Sequence, residues 1–242
     1  MTKNELILDG NEKRVYATDD PHKVIIRYKD VTVAYNGVKR ARFVGKGALD
    51  NRISALLLDY LNRNGIETHF IETVGEREQL CRKIEILPIE ISVHNRVAGT
   101  LASKLGLPEG FLPANTIVDF CYNDDALGDP LINAHQAVAL GLATYEELAF
   151  MERTALRINE LLQKVFHRAG IELVDSKLEF GRATDTGALI LSDEISPDTC
   201  RLWDEATGEK LDKDRFRLDL SDVVASYRTV LERLEKAMEG GA

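Results

Sequence analysis

Cysteine is scarce and carries no pattern. The chain holds three, Cys81, Cys121 and Cys200, far apart and odd in number, which excludes a disulfide framework and any CxxC redox or metal motif. The expectation is reduced thiols in a cytoplasmic protein. Basic charge is also short: 31 Lys+Arg face 40 Asp+Glu, a net charge of −9. A surface of that sign repels nucleic acid and anionic membranes, so neither is an expected partner. No apolar run approaches the ~20 residues a membrane span needs, and the opening MTKNELILDGNEK has none long enough for a secretory leader. The GxGxxG loop, the P-loop and the Gly-x-Ser-x-Gly elbow are missing. The five histidines form no pair at metal-ligand spacing. A phosphorylated ligand would therefore depend on a few local cations or on metal ions.

What is present is an ordinary globular balance. With 242 residues, 44% hydrophobic and 29% charged, the chain can bury a sizeable core in one large or two small domains. Arg14–Ala17, Val24–Tyr28 and Val31–Ala34 read as strands, and Asn36-Gly37 is a strong type I′ hairpin signal. A helix is expected from about Asn51 to Asn64. Ile53, Leu56, Leu57, Tyr60 and Leu61 share one face of it, and Gly65 suits the position after its last turn. Ile84–His94 returns to strand; Ile89, Ile91 and Val93 point one way, so Glu90, Ser92 and His94 share the other face. Residues 106–135 are loop-rich.

Thr144 and Glu147 make a capping box for a long helix ending near Gly170, with Leu148, Met151, Ala155, Ile158, Leu162 and Val165 as its buried stripe. Strands follow at Ile171–Gly181 and Ala188–Ile195, and a last helix starts at Ser221. No repeats or linkers show. The clearest interruption is Gly75–Gln79, which puts a domain break near residues 75–82. Strands interspersed with a few long helices make the fold class α+β.

The second hairpin carries most of the chemistry. In Leu173-Val-Asp-Ser-Lys-Leu-Glu-Phe-Gly181, Asp175, Lys177 and Glu179 share one face, and Asp193 follows Leu189 and Leu191 on the return strand. A loop centred near residue 185 sets Lys177 opposite Asp193, with Asp175 and Glu179 diagonal to it. Carboxylates that close repel unless cations compensate, and oxygen ligands of this kind suit Mg2+. The plain alternative is a solvated sheet face with a cross-strand salt bridge worth ~0.2–1 kcal/mol; the pattern leaves both open. Arg201 beside Trp203, and Arg215 and Arg217 around Phe216, suit a bidentate grip on carboxylate or phosphate, although a charged surface loop accounts for them better when taken alone. His94 is the histidine best placed for a role, but a lone strand histidine is more often structural. Gly10-Asn-Glu-Lys13, with one glycine, is only faintly like a phosphate-covering loop.

In order along the chain, Leu87-Pro-Ile-Glu90 through Gly99-Thr100, Asp129-Pro130, Leu173–Gly181, Ser192-Asp-Glu-Ile-Ser-Pro-Asp198, Arg201-Leu-Trp203 and Asp212-Lys-Asp-Arg-Phe-Arg217 resemble the SAICAR synthetase family. The similarity runs from Gly10 to about Leu234. It implies a small N-terminal β-rich lobe over residues 1–80 that covers the ATP phosphates. A larger α+β lobe over residues 81–242 would carry the Mg-ATP and substrate sites, in an arrangement related to kinase-like and ATP-grasp architectures. The resemblance implies ATP and Mg2+ as cofactors and a homodimer as the assembly. The implied reaction joins L-aspartate to the carboxylate of carboxyaminoimidazole ribonucleotide through an acyl phosphate, giving SAICAR, ADP and phosphate in purine biosynthesis.

Carried over by position, Glu179 and Asp193 would hold Mg-ATP, with Asp175 a further metal ligand. Asp175 and Lys177 would lie near the reacting carboxylate, and Lys13 would reach the ATP phosphates. Glu90 and His94 would face the substrate, Thr100, Arg201 and Arg217 its ribotide phosphate, and Asp129 the aspartate pocket. Departures from the family cluster here. Its usual Gly-Lys-x-Lys is Gly10-Asn11-Glu12-Lys13, its Val-Arg-Asn is Val93-His94-Asn95, and a usual lysine is Asn123. Ser176 stands for a phenylalanine, and Gly99-Thr100 for Gly-Ser. Three formal cations are thereby missing around two phosphorylated ligands, each charge-assisted contact worth roughly 1.5–3 kcal/mol. Either Arg96, Lys46 or a protonated His94 restores the contacts, or the chain is a paralogue that joins an amine to another carboxylate. A non-catalytic nucleotide-binding protein is a third reading, opposed by the intact Asp175, Glu179 and Asp193.

Overall fold

The computed structural model describes residues 1–35, 37–124 and 126–239; Asn36 of the expected turn lies outside them. Alternating apolar positions build the first part of the chain as a meander of β1 (Lys3–Asp9), β2 (Lys13–Thr18) and β3 (Lys23–Tyr28). A short ribbon of β4 (Val31–Ala34) and β5 (Lys39–Arg42) follows, paired antiparallel as a hairpin. Next come α1 (Lys46–Arg63), β6 (Phe70–Gly75) and β7 (Glu78–Arg82), and the first sheet closes in the order β1-β2-β3-β7-β6. Every residue of β1 is exposed, and its Leu6-Ile7-Leu8 run lacks the alternation that marks a half-buried strand.

Helix α1 begins five residues before the expected start. Its N-cap is Gly45 with φ 91° and no capping side chain, so no Ser, Thr, Asp or Asn announces it. Gly65 follows its end at φ 82°, as the sequence suggested. The interruption at Gly75–Gln79 is the tight turn between β6 and β7, where Gly75 pairs with Glu78, and residue 80 lies inside β7.

The second sheet uses β8 (Ile84–His94), β9 (Ile117–Tyr122), β10 (Leu131–Ile132), β11 (Ile171–Ala183), β12 (Leu189–Ser192) and β13 (Cys200–Asp204). Its order is β10-β9-β8-β11-β12, with β13 also paired to β11. Helices α2 (Gly99–Leu105), α3 (Ala134–Ala139), α4 (Tyr145–Arg168), α5 (Asp214–Arg217) and α6 (Val223–Glu239) fill the connections and the C-terminal part. The Thr144 hydroxyl accepts from the Glu147 amide at 3.2 Å and the Glu147 carboxylate accepts from the Thr144 amide at 2.8 Å, capping α4. No helix among the described residues is long and apolar enough to cross a membrane.

One face of this sheet is core. Ile89, Ile91 and Val93 of β8 and Leu178 and Phe180 of β11 pack with Met151, Ile158, Leu162 and Val165 of α4 and with Ile53, Leu57 and Leu61 of α1. Each such buried side chain contributes roughly 1.5–3 kcal/mol. Strand alternation then leaves the opposite face polar. That face, not the core, is where chemistry can be placed.

Candidate active site

A cleft of about 710 Å³ lies between the first sheet and the polar face of the second. Val15, Val24, Ile26, Ile84 and Ile86 line its apolar part, while Lys13, Glu179, Asp193, Asn123, Lys213 and Arg217 line its polar part. Local geometry explains how these meet. Strand β11 pairs with β12 so that Glu179 faces Ser192, and the chain leaves β12 at Asp193 with φ 60°, a left-handed conformation that aspartate tolerates better than most residues. Asp193 is thereby turned toward β2, where its carboxylate contacts the Lys13 ammonium, which also lies 3.0 Å from Glu194.

The register corrects one expectation. Lys177 does not face Asp193; it pairs across to β8, opposite Ser92, and its ammonium lies 2.6 Å from Glu90. Asp175 is likewise separate. It stands four residues from Glu179 along β11, about 13 Å at the rise of a strand, so one ion cannot take both. The three carboxylates therefore do not converge. Glu179 and Asp193 share the cleft, and Asp175 belongs to an arginine network.

The electrostatics of the cleft are unbalanced. Burial, and then the neighbouring Asp193 charge, push the Glu179 carboxyl up to about 8, against the pull of Lys13 and of the Asn123 amide that donates to it at 2.9 Å. Burial opposes the charge on Lys13, but Asp193 and Glu194 outweigh it and hold its pKa well above the ordinary lysine value. His69, buried at the same wall, is pushed down to about 4 mainly by desolvation, so it is neutral at pH 7. Glu179 and Asp193, with Lys13 paired to Asp193 and Glu194, offer an oxygen donor set that fits a hard divalent cation.

The far end of the polar face is balanced. Burial raises the Asp175 carboxyl, but His94 and the Arg201 guanidinium outweigh it and hold its pKa below the usual range. Arg201 reaches Asp175 at 2.7 Å and Asp214 at 3.0 Å, and Arg217 reaches Asp214 at 2.7 Å. His94 sits between Asp175 and Asp119, its ring nitrogens 3.5 and 3.6 Å away from them. Gly99 at the start of α2 makes room for Arg201: it has φ 56°, and a Cβ there would collide with the guanidinium. Thr100, the next residue, is exposed, and Asp129 lies in the β9–β10 loop at φ 48°, close enough to act on the charge of Lys177.

Two of the expected compensating cations are committed elsewhere. Lys46 is 1% exposed and held by Asp50 and Asp198. Arg96 is paired with Glu172 and donates to the Gly110 carbonyl at 3.1 Å. Ser176 points to the core side, fully buried, with no partner for its hydroxyl among the described residues. Sequence reasoning missed Asp119, Asp214, Lys213, Glu12 and His69 as members of the site. Alternation along β9 could have exposed Asp119, and the quoted Asp212–Arg217 stretch contains both Lys213 and Asp214; His69 had no local signal.

A family profile described as SAICAR synthetase matches residues 6–234. The phosphoribosylaminoimidazole-succinocarboxamide synthase of Clostridium acetobutylicum is 49% identical over 234 residues, covering 97% of this chain and 99% of that protein. The chain belongs to the SAICAR synthetase family. Solved members share the fold: the synthase of Ehrlichia chaffeensis superposes with a TM-score of 0.93 at 41% identity, covering 96% of this chain and 98% of that one. A SAICAR synthetase in complex with ADP superposes with a TM-score of 0.91 at 42% identity, covering 95% and 97% respectively. The family makes this chain an ATP-dependent carbon–nitrogen ligase of purine biosynthesis, with an α+β fold.

Proposed function

We propose that the chain joins L-aspartate to the carboxylate of carboxyaminoimidazole ribonucleotide, using ATP and releasing ADP and phosphate. The observation that carries this is the cleft in which Lys13, Glu179 and Asp193 meet under an apolar wall. Apolar strands suit a purine base, and the lysine suits its phosphates. Lys13 would grip the phosphates, and Glu179 and Asp193 would hold Mg2+, which when bound screens the charge of the nucleotide and of the attacking carboxylate.

A free carboxylate is a poor electrophile. Attack of its oxygen on the γ-phosphorus breaks the bond to ADP and leaves an acyl phosphate; the aspartate amine then displaces phosphate, sheds a proton and forms the amide. Asp175 and Lys177, fixed by Arg201 and Glu90, would orient the reacting carboxylate, with Glu90 and His94 on the substrate side. Arg201, Arg217 and Thr100 would meet the ribotide phosphate, and Asp129 the incoming amine. The two lobes, parting after β7 near residue 82 rather than at residue 80, would close on the nucleotide, in a cytoplasmic homodimer.

Phosphate release from Mg-ATP, with the ribotide and L-aspartate and with each left out, tests the reading. Release that needs both, with the succinocarboxamide found by mass, is expected. Tight nucleotide binding without such release overturns the substrate assignment in favour of another carboxylate or amine.

A further inference from the structure

We propose a second cation site beside the nucleotide cleft, built from Glu12, Glu194 and Asp198 and suited to a hard divalent ion. One carboxylate oxygen from each residue lies within 4.8 Å of the others. Glu12 comes from the turn ahead of β2, and the other two from the loop after β12. Glu194 and Asp198 are buried, whereas Glu12 is half-buried and lines the cleft, so an ion would enter past Glu12.

Glu194 is the observation that points to a ligand. Its side chain is 3% exposed and one oxygen lies 3.0 Å from Lys13, yet the other has no hydrogen-bond partner among the described residues. A buried carboxylate oxygen left bare is costly unless something cationic reaches it. Asp50 has a second such oxygen in the same knot, across Lys46 from Asp198.

The surrounding ammoniums do not balance these charges. Lys213 lies 2.7 Å from Glu12, Lys46 serves both Asp50 and Asp198, and Lys13 divides between Glu194 and Asp193. Carboxylates outnumber ammoniums, and an all-oxygen set favours Mg2+ or Mn2+ over metals that prefer nitrogen or sulfur. The site is distinct from the Glu179–Asp193 pair, with Lys13 between them. If Lys13 turns to ATP phosphates, a step that rests on the proposed function, Glu194 loses its ammonium and the second ion would take its place. The site itself does not depend on that step.

Electron paramagnetic resonance of Mn2+ titrated into the nucleotide-free chain counts the ions held. The expected result is a bound ion that Glu12→Gln weakens at least about tenfold and Asp193→Asn leaves in place. Lys213→Met, which removes the ammonium competing for Glu12, should tighten it severalfold. That gain has the opposite sign to any damage from misfolding, so the test holds even if Glu12→Gln disturbs the bond its carboxylate accepts from the Val33 amide. No ion retained at millimolar Mn2+, loss of the ion in Asp193→Asn, or indifference to both Glu12→Gln and Lys213→Met each overturns the site.

Discussion

The two ends of one polar sheet face follow opposite electrostatic plans. At the cleft, Lys13 is divided between Asp193 and Glu194, and burial first, then the Asp193 charge, raises the Glu179 carboxyl to about 8. At the far end, Arg201 and Arg217 are already matched by Asp175 and Asp214. A carboxyl kept protonated by burial and a neighbouring anion gives up its proton when a cation arrives from outside. A matched network instead holds its arginines in fixed directions, pre-organised for a ligand that exchanges with or adds to their carboxylate partners. The contrast separates the residues that should govern chemistry from those that should govern substrate affinity.

The largest expected effect breaks the unmatched end. Asp193→Asn should lower kcat by on the order of a thousandfold or more while the circular dichroism spectrum stays unchanged. Full activity in that variant would remove Asp193 from the nucleotide site. The matched end is broken without touching a charged residue by Gly99→Ala. The added methyl meets the Arg201 guanidinium, and the left-handed backbone adds about 1 kcal/mol. The ribotide KM should rise about tenfold or more with the ATP KM within about twofold of wild type. An equal rise in both would merge the two ends into one site.

The next effect sharpens the comparison through pH. A carboxyl raised in the fold keeps a proton that the unfolded chain has lost, so Glu179 favours folding at pH 5 and works against it as pH rises from about 4.5 through about 8. In nucleotide-free protein without divalent ions, Glu179→Gln should gain stability relative to wild type between pH 5 and pH 8, by at least about 1 kcal/mol. Denaturant unfolding at the two pH values measures it. A wild-type minus variant difference that does not change with pH would mean that Glu179 is already ionised in the fold.

Much of this was legible in the sequence, and what was not has physical reasons. The capping box at Thr144 and the alternation of β8 are local signals, and the structure follows them. The grouping of Asp175, Lys177 and Glu179 on one face was also local. Their partners were not, because pairing depends on which strand lies alongside. Strand β8 took Lys177 through Glu90, and a single left-handed residue turned Asp193 away to β2. The start of α1 was hidden because a glycine caps it. Lys46 looked available in the sequence, and only burial between two aspartates removes it.

Asn123→Lys should give the smallest effect and tests the contrast most directly, since it returns to the cleft a cation that the family usually has. The Asn123 amide already donates to Glu179 at 2.9 Å. An ammonium near that position would attract the carboxylate by ~4 kcal/mol at an effective dielectric of ~20, and burying the new charge would offset most of it. The net gain in stability at pH 8 should therefore be about 1 kcal/mol or less, and the ATP KM should move by no more than about threefold. The decisive readout is the pH trend: with Glu179 held ionised by lysine, the fall in stability between pH 5 and pH 8 should flatten toward that of Glu179→Gln. A variant that keeps the full wild-type slope would show that the new ammonium does not reach Glu179 closely enough to outweigh the burial and the Asp193 charge that raise it.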